Sequence, residues 1–65
     1  MTKLERWIES MPEWMDIAVI KEVNSKELFE TSNRKHKHYY IWSNDTLVFH
    51  CGNKTSAIEK LKEVS

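Results

Sequence analysis

Apolar residues recur near the start of the chain at the spacing i, i+3, i+4 and i+7, which places them on one side of a helix. Thr2 precedes them with Glu5 three residues later, and this capping box indicates where the helix begins. Pro12 predicts that the helix ends near Ser10, because proline restricts the residue before it and cannot continue the hydrogen-bond ladder. The apolar positions of this first helix are Leu4, Trp7, Ile8 and Met11.

Runs of β-branched and aromatic residues follow and predict an antiparallel sheet. The runs at residues 17–23, 37–43 and 46–51 fit strands, and the last two are joined by a polar turn at Asn44 and Asp45. The short spacing between them favours a meander, in which each strand pairs with the next.

The segment between the first two of these strands fits either a short helix or a further strand. Residues 24–27 fit a helix cap, whereas residues 27–32 fit a strand that turns at residues 33–34. We expect the strand, because a two-residue turn there places Glu30 opposite Lys37, a favourable cross-strand charge pair.

Apolar residues return at helical spacing after Gly52 and predict a second helix. The order of elements therefore predicts an α+β fold: an N-terminal helix, a three- to four-stranded antiparallel meander sheet and a C-terminal helix, arranged as one two-layer domain over residues 1–65. The apolar stripe of the second helix is Ala57, Ile58, Leu61 and Val64, and its candidate caps are Asn53, Thr55 and Ser56.

Composition excludes several classes of protein. The chain is 40% hydrophobic, which argues against disorder, and its single cysteine cannot form an internal disulfide. The N-terminus is too charged for a signal peptide, and the longest apolar run, residues 17–20, is far too short to span a bilayer. We therefore expect a soluble, cytoplasmic protein that does not bind membranes.

Charge is balanced overall but unevenly distributed. The formal net charge is zero, yet residues 1–33 carry four basic and seven acidic residues, whereas residues 34–65 carry six basic and three acidic residues. Such a dipole can orient a charged partner. Net charge alone does not favour a nucleic-acid-binding domain.

Symmetric closure of the turn at residues 44–45 predicts which side chains share a face of the sheet. It pairs Trp42 with Leu47 and Tyr40 with Phe49, whereas an odd-length loop would exchange the two faces. Both helices are expected to cover one face, which holds Phe29, His38, Tyr40, Trp42, Leu47, Phe49 and Cys51. The other face is then left exposed and unusually apolar, with Leu28, Lys37, Tyr39, Ile41, Val48 and His50.

The histidines and the cysteine do not indicate a metal site or an enzyme. In this register His50 points away from Cys51, and the remaining ligand types, His36, His38 and Cys51, are one short of a structural zinc site. A thiolate–imidazolium pair of Cys51 with His38 would lack an orienting group and a substrate pocket. We therefore expect no cofactor and no catalytic residues.

These features predict a small non-enzymatic protein-binding module, an inhibitor or adaptor that occludes a partner protein. An accessory protein of a phage or mobile element fits this description, and a homodimer through the same face is a further alternative. The tryptophans are expected in the core. The predicted protein-binding residues are Leu28, Arg34, Lys37, Tyr39, Ile41, Val48 and His50.

The alternative is a nucleic-acid-binding regulator that uses the basic and aromatic hairpin at residues 33–42. Its cations would neutralise phosphates, and Tyr39 on the open sheet would stack on a base. The predicted nucleic-acid-binding residues are Arg34, Lys35, His36, Lys37 and Tyr39.

Overall fold

The computed structural model describes residues 2–64 and contains two helices and one four-stranded antiparallel sheet with the strand order β1-β2-β3-β4. The α+β class, the helix–meander–helix order and the choice of a strand for residues 27–32 are confirmed. Neither helix within residues 2–64 has the length and apolar character needed to cross a membrane. The elements are α1 (Lys3–Glu9), β1 (Asp16–Val23), β2 (Lys26–Ser32), β3 (Lys37–Ser43), β4 (Thr46–Cys51) and α2 (Lys54–Val64).

Helix α1 is fixed at its start by two different caps. The Thr2 hydroxyl accepts a hydrogen bond from the backbone N–H of Glu5 at 3.1 Å, as the capping box predicts. The carboxylate of Asp45, in the turn between β3 and β4, accepts the N–H groups of Lys3 at 3.0 Å and Leu4 at 2.8 Å. These long-range bonds attach α1 to one end of the sheet.

The turns of the sheet are of two kinds. The β1–β2 and β3–β4 turns are two residues long, with left-handed backbone at residues 24–25 and 44–45, as tight hairpins require. The β2–β3 loop is four residues long and not two. It pairs Ser32 with Lys37 and places Glu30 opposite Tyr39, so the predicted pairing of Glu30 with Lys37 is wrong.

An extra residue in β4 shifts the register of the β3–β4 hairpin. Trp42 pairs with Leu47, as predicted, but a β-bulge follows and Ile41 then pairs with Phe49. The predicted pairing of Tyr40 with Phe49 is therefore wrong, because a bulge moves every later partner by one residue.

The two helices lie on opposite faces of the sheet. The residues Leu28, Tyr39 and Ile41 form a buried core with Ala57 and Leu61 of α2. On the other face, the Trp7 ring of α1 lies 5.5 Å from the ring of Phe29, 4.8 Å from Tyr40 and 5.3 Å from Trp42, between ring centroids. The expectation that both helices cover the same face is wrong.

The placement of α2 removes the predicted exposed apolar face. Leu28 and Ile41 are completely buried and Tyr39 is 4% exposed, so these three side chains belong to the core and are not a binding surface. The sequence argument assumed that helices cover one face only, whereas each helix here covers one. A homodimer through this face loses its contact surface for the same reason.

Candidate functional site

The β2–β3 loop is a rigid polar turn organised by Asn33. The Asn33 side-chain oxygen accepts the backbone N–H groups of Lys35 at 3.0 Å and His36 at 2.8 Å, and the Asn33 N–H donates to the His36 carbonyl at 2.9 Å. These three bonds hold the backbone of the loop. The side chains of Arg34, Lys35 and His36 are all exposed to solvent.

Trp14 lies beside this loop and is also exposed. It follows α1 in a turn closed by a 3.0 Å hydrogen bond from the Met15 N–H to the Pro12 carbonyl. The Trp14 side chain is 63% exposed, so the prediction that it lies in the core is wrong. A cavity of about 430 Å³, the outer cavity, lies between this indole and the loop, and it is lined by Trp14, Asn33, Arg34, Lys35 and His36.

A second cavity of about 260 Å³, the inner cavity, lies next to the first on the α1 side of the sheet. Its apolar lining comes from two thioethers and a phenol ring, those of Met11, Met15 and Tyr40. Asn33 and His36 line both cavities. We call the two together the loop groove. The remaining residues that line the inner cavity are Thr31, Lys37 and His38.

The loop side of the groove is positively charged. Among residues 2–64, neither Arg34 nor Lys35 has a carboxylate within ion-pair distance. Lys37 lies 3.9 Å from a carboxylate oxygen of Glu30, whose other oxygen accepts a hydrogen bond from the Tyr39 hydroxyl at 3.1 Å. Burial, and then this bond to Glu30, raises the pKa of Tyr39 above its usual value. Since no such carboxylate lies within ion-pair distance of Arg34 or Lys35 among residues 2–64, both are available to an anionic ligand.

His38, which lines the inner cavity, forms a pair with His50. His38 Nε2 and His50 Nδ1 are 3.1 Å apart, and their ring centroids are 5.4 Å apart. Because the ring centres are much farther apart than the two nitrogens, the rings meet edge to edge. The two nitrogens therefore point at each other in an imidazole–imidazole hydrogen bond. Burial, and secondarily repulsion by His50, lowers the pKa of His38, so His38 presents a neutral ring to the cavity at neutral pH.

The predicted grouping of His38 with Cys51 is wrong. Cys51 pairs with Tyr39 and points to the α2 side, where its thiol donates to the Asn53 carbonyl at 3.2 Å. Within residues 2–64 there is no group of three or more His, Cys, Asp and Glu side chains placed to hold a metal ion.

The predicted protein-binding residues are not brought together. Leu28, Tyr39 and Ile41 are core residues, whereas Val48 and His50 are exposed on β4 and Arg34 lies in the β2–β3 loop with Lys37 next to it. The structure does unite four of the five predicted nucleic-acid-binding residues, and Tyr39 is the exception. Those four are Arg34, Lys35, His36 and Lys37.

Sequence reasoning missed the residues that complete the groove. Asn33 carried a usable signal, since an asparagine that opens a polar loop commonly accepts backbone N–H groups two and three residues later. Trp14 carried none, because a large aromatic residue between two methionines is more often buried. The missed residues are Met11, Trp14, Met15, Thr31, Asn33, His38 and Tyr40.

No protein-family model matches the chain, and neither a curated protein nor a solved structure matches it. The functional argument therefore depends on the chemistry of the loop groove. That chemistry combines an exposed indole, cations without an acidic partner, and an apolar inner cavity.

Proposed function

We propose that this protein binds single-stranded nucleic acid through the loop groove. The observation that carries the proposal is the outer cavity, where the exposed indole of Trp14 faces Arg34 and Lys35. A flat aromatic surface stacks on any base, and cations beside it neutralise the phosphates of the same strand. In this proposal the protein is a cytoplasmic regulator that acts by binding and performs no chemistry.

The shape of the groove favours single strands over duplex. In a duplex the bases are stacked on one another, so their flat surfaces are not available to a side chain. Trp14 can stack only on a base that has left its neighbours, which is the normal condition of bases in a single strand. The groove is also concave, and only a flexible strand can place a base inside it.

The charge pattern gives the ligand an orientation. Glu13 precedes Trp14 and Asp16 follows it two residues later, whereas the loop side of the groove carries Arg34, Lys35 and Lys37. Phosphates are therefore directed to the loop and bases to the indole. Three phosphate contacts predict a slope of about −2 for log affinity against log salt concentration with a single strand.

The protein partner predicted from the sequence is less well supported than nucleic acid. Its apolar centre, Leu28, Tyr39 and Ile41, is buried under α2. An acidic segment of a protein would satisfy the cations of the groove but would gain little from stacking. It is therefore an outcome that the experiment must distinguish.

The test is fluorescence anisotropy with a labelled oligothymidylate of roughly ten nucleotides, within the ~4–16 nucleotides that one single-strand-binding fold covers. Trp14→Ala should weaken binding by about tenfold, since stacking of one base contributes ~1–3 kcal/mol. Trp14→Phe should retain part of the affinity, because a smaller ring still stacks. Val19→Ala, at an exposed apolar position of β1, is the matched control and should bind like the parent protein.

The charge contribution is tested in the same assay. The double variant Arg34→Glu, Lys35→Glu should bind poorly and show a flatter salt dependence, whereas Lys21→Glu, an exposed lysine of β1, should change little. An affinity that changes neither with salt concentration nor on the Trp14→Ala substitution would refute the proposal. If poly-glutamate competes with the oligonucleotide as well as unlabelled oligothymidylate does, the ligand is an acidic protein segment instead.

A further inference from the structure

The two cavities of the loop groove are adjacent. Asn33 and His36 line both cavities, and every other lining residue belongs to one cavity only. A ligand that occupies both cavities therefore lies against these two side chains. Each of them can donate an N–H, so the part of the ligand that links the cavities should accept hydrogen bonds.

The side-chain amide of Asn33 uses its oxygen within the loop and its nitrogen does not bond there. Its side-chain oxygen is occupied by the backbone N–H groups of Lys35 and His36. Within residues 2–64 the amide nitrogen has no hydrogen-bond partner of its own. The oxygen is thus committed to the loop, and two N–H donors remain at the junction of the cavities.

The inner cavity differs chemically from the outer cavity. Its lining includes Met11, Met15 and the ring of Tyr40, and the adjacent His38 has a lowered pKa that keeps it neutral at neutral pH. Thioethers and aromatic rings form favourable contacts with flat π systems, and methionine adapts its shape to its partner. The thioethers and the Tyr40 ring therefore suit a base, whereas Lys37, which also lines this cavity, suits a phosphate.

We infer that the loop groove binds two consecutive nucleotides of a single strand. One base stacks on Trp14 in the outer cavity, and the next lies against Met15 and Tyr40 in the inner cavity. The phosphodiester between them accepts hydrogen bonds from Asn33 and His36. This inference rests on the proposed function and defines its ligand as a dinucleotide step.

The first experiment compares small ligands by NMR titration of the full chain. The ligands are thymidine 5′-monophosphate, the dinucleotide TpT, and TpT with an uncharged methylphosphonate linkage. TpT should bind about tenfold more tightly than the mononucleotide, because it adds a second base contact. TpT carries less negative charge than the mononucleotide, so this gain cannot come from electrostatics. The methylphosphonate should lose most of the gain.

The second experiment locates the dinucleotide. Asn33→Asp keeps an oxygen for the Lys35 and His36 N–H groups but replaces the donor with an anionic acceptor, so it should abolish the preference for TpT. Met15→Ala should reduce TpT binding severalfold and leave mononucleotide binding unchanged. Slow solvent exchange of the Lys35 and His36 amide protons verifies that the loop in each variant is intact.

The outcomes separate this inference from the proposed function. If the longer oligothymidylate binds but TpT binds no better than the mononucleotide, the dinucleotide inference is wrong and the proposed function stands. The same conclusion follows if TpT binds well and neither Asn33→Asp nor Met15→Ala affects it. If no oligonucleotide binds, both fail.

Discussion

The two faces of the sheet are covered in different ways. The eleven-residue α2 closes an aliphatic face on which Leu28, Ile41 and Leu61 are fully buried. The seven-residue α1 buries none of its own residues and covers an aromatic face mainly through Trp7. On that face the indole nitrogen of Trp42 is buried without a hydrogen-bond partner among residues 2–64. The closed face stabilises the fold, and the groove lies where the short helix leaves the other face open.

Truncation of the closed face should have the largest effect on stability. Leu61→Ala removes a fully buried side chain between α2 and the sheet and should cost about 3–5 kcal/mol of unfolding free energy. That is a large fraction of the stability expected for a domain of this size. Urea unfolding followed by circular dichroism measures the change.

Leu47→Ala is the matched control, since Leu47 is an exposed leucine on β4. It should cost about 1 kcal/mol or less. Equal losses for Leu61→Ala and Leu47→Ala would contradict the assignment of the main core to the α2 face.

Truncation of the open face should cost less and should act locally. Trp7→Ala removes the contacts of α1 with Phe29, Tyr40 and Trp42, and we expect a loss of about 2–3 kcal/mol because Trp7 is only partly buried. Amide hydrogen exchange should lose protection in α1 while α2 stays protected.

Trp14→Ala tests the difference between a packed and an exposed tryptophan. It should change unfolding free energy by no more than about 0.5 kcal/mol, because its side chain is mostly in solvent. If Trp7→Ala deprotected α2 as strongly as α1, the two faces would be one cooperative unit and the comparison would fail.

The cap that attaches α1 to the sheet should have an effect on stability that depends on pH. The N–H groups of Leu4 and Lys3 lower the pKa of Asp45 below its ordinary value of 3.8. A carboxyl whose pKa is lowered by folding stabilises the fold above its unfolded pKa, and this contribution is lost as pH falls through the folded pKa. Asp45→Asn should therefore cost stability at neutral pH and nothing in strong acid.

Thermal melts of the parent protein and Asp45→Asn across the acid range measure this difference. Asparagine is the suitable replacement, because it tolerates the left-handed backbone of Asp45. A gap in melting temperature that stayed constant below pH 3.8 would show that the carboxylate charge is not what fixes α1.

Most of the secondary structure could be predicted because its signals are local. The Thr2 cap, Pro12, the alternating strands and the turn at residues 44–45 each act on their neighbours in sequence. The side of the sheet on which α2 packs could not be predicted, because it depends on tertiary contacts. The faces of Phe49, His50 and Cys51 could not be predicted either, because they depend on one extra residue in β4 that carries no distinctive side chain. That residue is Val48, and a valine within a strand does not predict a bulge.

The candidate site was only half predictable for a related reason. The basic residues Arg34, Lys35 and Lys37 are adjacent in sequence, so their proximity needed no tertiary information. Trp14 reaches them only because β1 pairs with β2, which brings Asp16 beside Ser32 and the turn before β1 beside the loop after β2. This contact between distant segments follows from strand pairing, and no local sequence pattern predicts it.

Both outer strands of the sheet, β1 and β4, contain a bulge: one between Val19 and Lys21, the other at Val48. A bulge interrupts the regular row of N–H and C=O groups that an outer strand offers to a strand of another molecule. Strand-by-strand growth into aggregates is thereby disfavoured at each edge. A chain with so small a core can thus keep two free edges in a crowded solution at little risk of polymerising.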